Sequence, residues 1–164
     1  MHDFNIMEPM TNSPDIGVVA GIDYGTVRIG VAVSDPRRMI AFPLVIYTRK
    51  SEVRDAEFFR QLVFDERIVQ FVVGLPLHIS GDLSEKAQEA FTFGRWLDEQ
   101  TGVPVDFYDE RYTSVEAEDY LIEANVTRKK RKQKLDKVAA QILLAAYLES
   151  GCQGTKKLLP LEDE

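Results

Sequence analysis

The chain has 164 residues, 45% hydrophobic and 29% charged, enough for one domain whose core needs neither disulfides nor a structural metal. Its single cysteine, Cys152, excludes a disulfide framework and a cysteine-based zinc site, and a reducing compartment is the simplest fit. The net charge of −7 by itself argues against a nucleic-acid partner, no apolar run reaches a membrane span, and the start of the chain lacks a secretory signal, so a cytoplasmic protein is expected.

Residues 1–15, "MHDFNIMEPMTNSPD", are polar with two prolines and read as an N-terminal tail. A single domain is expected over 16–152, followed by a C-terminal tail over 153–164. Val18 to Asp23 and Val27 to Ser34 are Val- and Ile-rich runs flanking "YGT", which predicts a β-hairpin. A third strand is expected from Ile40 to Tyr47, with Pro43 marking an edge position or a bulge. Ser51 then caps a helix to about Glu66, with Val53, Ala56, Phe59, Leu62 and Val63 at helical spacing. "IVQFVVGLP" is an unbroken apolar strand ending at Gly74, as a strand covered on both faces would be.

Asp82 or Ser84 starts the next helix, whose stripe of Leu83, Ala87, Ala90, Phe91, Gly94 and Leu97 stops at Gly102. "VPVDFYDE" is the last strand. Thr113 and Glu116 make a capping box for a short helix faced by Ala117, Tyr120, Leu121 and Ala124, and a final helix runs from about Lys134 to Ser150. The order predicts an α/β fold: a mixed sheet of three antiparallel strands followed by two parallel ones, with helices on both faces.

Functional groups in such sheets collect at the carboxyl ends of the parallel strands. Asp23 closes the first strand, and Asp109 and Glu110 close the last. Asp136 precedes Ala139, Ala140, Leu143, Leu144 and Tyr147 at helical spacing, which puts it at the start of an apolar stripe. Singly, each acid has an ordinary explanation: a helix dipole for Asp136, a loop position for Asp109 or Glu110, an Asx turn for Asp23. Together they would repel unless cations lay between them, and oxygen ligands without clustered Cys or His point to Mg²⁺ or Mn²⁺.

Two such ions about 3.5–4 Å apart support in-line hydrolysis of a phosphodiester. Asp23 would bridge them, Glu110 and Asp136 would hold one each, and Gly25 would let a substrate backbone approach. A basic run, "RKKRKQK", ends two residues before Asp136, and the rest of the chain carries −13. It reads as a loop that grips phosphates through Lys129, Lys130, Arg131 and Lys132. Arg28 and Arg111 either clamp phosphate or pair with the acids. His78 is a candidate for proton transfer, although a loop histidine is more often structural.

At these positions the chain resembles the YqgF/RuvX-type family of bacterial ribonuclease-H-like nucleases. The similar segments are "GIDYGTVRIGVAVSD", "VVGLPLHISGD", "DERYTSVEAE" and "RKKRKQKLDKVAAQILLAAYLE", in the family's order and over nearly the whole chain apart from the tail. The resemblance implies a ribonuclease-H-like fold, divalent-metal nuclease activity and a role in maturing the 5′ end of 16S ribosomal RNA, with ribosomal particles as partners. The family has also been regarded as a Holliday-junction resolvase, which would act on branched DNA as a homodimer and not a monomer. Its acidic residues map to Asp23, Glu110 and Asp136. His78 departs from the Asn usual after "GLPL", and the N-terminal tail is longer than is usual.

Two rivals remain at this level. Actin-like and sugar-kinase ATPases also open with "GIDxGT", although they are far longer than this chain. A binding-only protein would use the basic run to hold RNA without cutting it.

Overall fold

The structure, a computed structural model, describes residues 16–77, 83–110 and 128–154, and only the backbone within 128–137. The tail over 1–15, His78, Arg111 and the expected helix from Thr113 to Ala124 lie outside the described residues. The elements are β1 (Val18–Asp23), β2 (Arg28–Ser34), β3 (Ala41–Thr48), α1 (Glu52–Glu66), β4 (Ile68–Leu75), α2 (Glu85–Thr101), β5 (Val105–Asp109) and α3 (Arg128–Glu149).

The strands form one mixed sheet in the order β3-β2-β1-β4-β5. β1 to β3 make the antiparallel meander, and β4 and β5 add in parallel beside β1. β3 is outermost, and its register with β2 slips at Val31/Ala32, so that Ala32 faces Pro43 while Val31 faces Val45. Pro43 therefore sits both on an edge strand and at a bulge, the two places where a missing N–H is tolerated. β1 is apolar on both faces because it is central: Ala20 and Ile22 enter the layer beneath α1 and α2, and Val19 enters the layer beneath α3.

Both helices that cover the first layer are capped as their sequences predict. Ser51 Oγ accepts from Arg54 N, and Ser84 Oγ accepts from Ala87 N at 3.0 Å, so Ser84 is the N-cap of α2. Gly102 ends α2 in the left-handed region at φ 70°. Phe59, Phe71 and Leu97 are fully buried between these helices and the sheet.

On the other face, α3 lies close to the sheet. A Cβ on Gly21 would stand 2.8 Å from Leu144 Cβ and 3.1 Å from the Ala140 carbonyl oxygen. Gly21 and Ala140 are small where the two backbones approach, which brings the buried Leu143, Leu144 and Tyr147 onto the strands.

One expectation is corrected here. The basic run is not a loop, because α3 begins at Arg128, six residues ahead of the expected start at Lys134. Lys, Arg and Gln are good helix formers. Like-charge pairs one turn apart cost only about 0.2–0.5 kcal/mol each, too little to unwind a helix that continues into a packed stripe.

A buried carboxylate holds the end of β3 to the start of α1. Asp55, 2% exposed, accepts from the Tyr47 hydroxyl at 2.6 Å, from Lys50 N at 2.9 Å and from Arg49 Nε at 3.3 Å. Burial pushes its carboxyl up, but the Tyr47 hydroxyl, the Lys50 amide and the Arg49 guanidinium outweigh this and hold it below the usual value. Burial and the bond to Asp55 push the Tyr47 phenol up to about 12. A carboxyl lowered in the folded state stabilises the protein above its unfolded pKa of about 3.9, and that contribution is lost as pH falls through the folded value. Asp55→Ala should cost about 3–5 kcal/mol in urea denaturation at pH 7, because Arg49 and Tyr47 lose their buried partner. The difference from wild type should shrink below about pH 4.

Candidate active site

β1, β4 and β5 run parallel and adjacent, so their carboxyl ends share one edge. Asp23 ends β1, Leu75 ends β4 and Asp109 ends β5. In register, Ile22 pairs with Val73, Gly74 with Tyr108 and Leu75 with Asp109. Val19, Val72 and Tyr108 belong to the layer beneath α3. Strand alternation places Asp23 and Gly74 on that same face, and Glu110 follows Tyr108 onto it.

Glu110 is the residue that crosses strands. Its N–H donates to the Leu75 carbonyl oxygen at 3.0 Å, extending the β4–β5 ladder by one residue. Its carboxyl lies over Gly74, where any Cβ would collide with it. Glu110 thus passes across β4 toward β1, and Asp23 is the stronger of the two charges that act on it. Burial, then Asp23, then Asp109 push the Glu110 carboxyl up to about 8. Burial and the neighbouring acids thus favour the protonated carboxyl, whereas a divalent ion beside it would favour the charged form.

This donor set fits a hard cation: oxygens only, mutually repelling and partly withdrawn from water. Among the described residues no three acidic, His or Cys side chains form a complete metal cluster. Asp23 and Glu110 are the two expected ligands whose side chains are described. Asp136, the third expected ligand, has its backbone in α3 one turn ahead of Ala140, which lies over Gly21, two residues before Asp23. Its side chain, and those of Lys129, Lys130, Arg131 and Lys132, are outside the described residues.

Arg28 is exposed at the start of β2 and makes no ion pair among the described residues. Gly25 has a local reason to be glycine, since a Cβ there would strike the Arg28 carbonyl oxygen. The residues expected at the site do not include Gly74. Its signal is a glycine inside an apolar strand, which marks a close approach by another group.

The strand order and the helices on both faces define an α/β domain of the ribonuclease-H-like fold. A model of the RuvX family, described as "Holliday junction resolvase", matches residues 17–150, and the chain belongs to that family. A Rhodopirellula baltica protein named "Putative pre-16S rRNA nuclease" is 46% identical over 137 residues, 84% of this chain and 79% of that protein. A Syntrophomonas wolfei protein of the same name is 41% identical over 136 residues, 83% and 96% of the two chains. Among solved structures, T. thermophilus RuvC in complex with a Holliday junction substrate aligns with a TM-score of 0.52 at 19% identity, covering 84% of this chain and 98% of that one. At that identity the likeness bears on the fold alone. Family membership, and not Asp23 by itself, sets aside the ATPase reading of "GIDYGT".

Two outcomes follow from the crossing. Gly74→Ala should leave the thermal midpoint close to wild type, because the Glu110 side chain can swing away, yet weaken Mn²⁺ binding measured by calorimetry about tenfold or more. In metal-free buffer the raised Glu110 carboxyl stabilises the fold below about pH 4.5. That contribution should be lost as pH rises toward 8, and Glu110→Gln should flatten this part of the urea stability profile.

Proposed function

We propose that the protein is a divalent-metal-dependent nuclease that hydrolyses phosphodiester bonds, acting in 5′-end maturation of pre-16S rRNA. The observation that carries this reading is the Glu110 carboxyl laid over Gly74 toward Asp23, in a chain of the RuvX family. The rRNA substrate is taken from the names of its relatives.

In this reading Asp23, Glu110 and Asp136 hold Mg²⁺ or Mn²⁺, which when bound activates water and stabilises the leaving oxygen. Asp23 holds the central position because it ends the central strand. With an ion bound, Glu110 would hold it as the carboxylate, its proton passing to solvent. Arg28, Arg111, Lys129, Lys130, Arg131 and Lys132 bind backbone phosphates on either side of the scissile bond. Gly25 keeps the β1–β2 turn tight, so that no side chain stands between Asp23 and the phosphate.

Purified protein should cut RNA carrying the unprocessed 5′ end of 16S rRNA with Mg²⁺ or Mn²⁺ and not with EDTA. Asp23→Asn and Asp136→Asn should each lower the rate by at least about 10³-fold, with folding and RNA binding retained. Unchanged cleavage in either variant contradicts the proposed site. Replacing Lys129, Lys130, Arg131 and Lys132 by Gln should weaken RNA binding and reduce the slope of log K against log salt by about 0.7 for each phosphate left unneutralised. The description of the family model favours a second reading, cleavage of a four-way DNA junction. Faster cutting of such a junction than of the RNA would select it.

A further inference from the structure

We infer that Arg49 is a positioning residue for the turn that carries Asp23, an inference that rests on the nuclease reading above. The turn between β1 and β2 spans Tyr24 to Val27, and Arg49 holds both of its ends. Its backbone N–H donates to the Val27 carbonyl oxygen at 2.9 Å, and its Nη1 donates to the Tyr24 hydroxyl at 3.1 Å. The guanidinium carbon also lies 5.5 Å from the centre of the Tyr24 ring and 5.8 Å from that of Phe93. Arg49 is itself fixed by Asp55 through Nε, at 3.3 Å.

Packing alone does not hold Tyr24. Its ring leans on Phe93 at 5.0 Å between centroids, but Tyr24 and Arg49 also border a cleft of about 590 Å³ shared with Trp96. The ring therefore has space to swing into once its hydroxyl is released. Tyr24 adjoins Asp23 in the chain, so a rotation of its backbone moves the Asp23 carboxyl against Glu110. Asp55, Arg49 and Tyr24 thus form a relay from the buried start of α1 to the acid at the end of β1. A planar guanidinium suits the task, because one group bonds a carboxylate with one edge and a phenol with another.

The test uses Arg49→Gln, Tyr24→Phe and the double variant, each assayed well below its own melting temperature, with RNA cleavage and calorimetric Mn²⁺ binding as separate readouts. Arg49→Gln should lower kcat about tenfold with KM within about twofold, and weaken Mn²⁺ binding severalfold. Tyr24→Phe should leave the melting temperature near wild type and lower kcat by a smaller factor in the same direction. The double variant should be no slower than Arg49→Gln, because both changes break one linkage. Multiplicative losses in the double variant, or a folded Arg49→Gln protein with wild-type kcat and Mn²⁺ affinity, overturn the inference. If Arg49→Gln is normal while Asp23→Asn is dead, the inference fails and the site stands. Cleavage by Asp23→Asn overturns both.

Discussion

Two carboxyls drawn together away from bulk water oppose one another, and a folded chain keeps them there only if they share a proton or a cation. In this protein the opposition is between Glu110 and Asp23, and Gly74 makes it geometrically possible. β4 separates the strands that carry the two acids. Only where that strand lacks a side chain can Glu110 lie across it. The raised Glu110 carboxyl is the electrostatic trace of this arrangement.

Much of the remaining architecture maintains that edge. β1 is central and apolar on both faces, so the position of Asp23 is fixed by the core as well as by its own turn. The close approach of α3 over Gly21 anchors the helix that carries Asp136 against the same strand. On the opposite face, the buried Asp55 ties β3 to α1 and reaches back through Arg49 to Tyr24. The turn after Asp23 is thus held from the face of the sheet opposite Asp23 and Glu110.

Most of the element pattern is legible in the sequence, because apolar runs of period 2 and 3.6 alternate clearly along it. β1, α1 and α2 fall where their caps and stripes indicate, β2 starts one residue later than expected, and β3 is shifted by one residue at both ends. The start of α3 is not legible in the same way, because six charges in seven residues resemble a solvated loop, whereas their intrinsic preference is helical. Asp23, Glu110 and Asp136 can be proposed from their places at strand ends and on a helix stripe. The crossing cannot, because it depends on which strand lies between β1 and β5, and that order is set by long-range pairing. Gly74 and Arg49 acquire their roles only once that pairing is known.

The central claim is that Asp23 and Glu110 face one divalent ion across Gly74. Its most direct test is a crystal structure of the protein soaked in Mn²⁺, with anomalous difference density recorded for the metal. The account predicts a peak within about 2.0–2.3 Å of one carboxylate oxygen from each of Asp23 and Glu110, on the face of the sheet covered by α3. A peak bound elsewhere, or bound to Asp23 with the Glu110 carboxyl turned away, would contradict it.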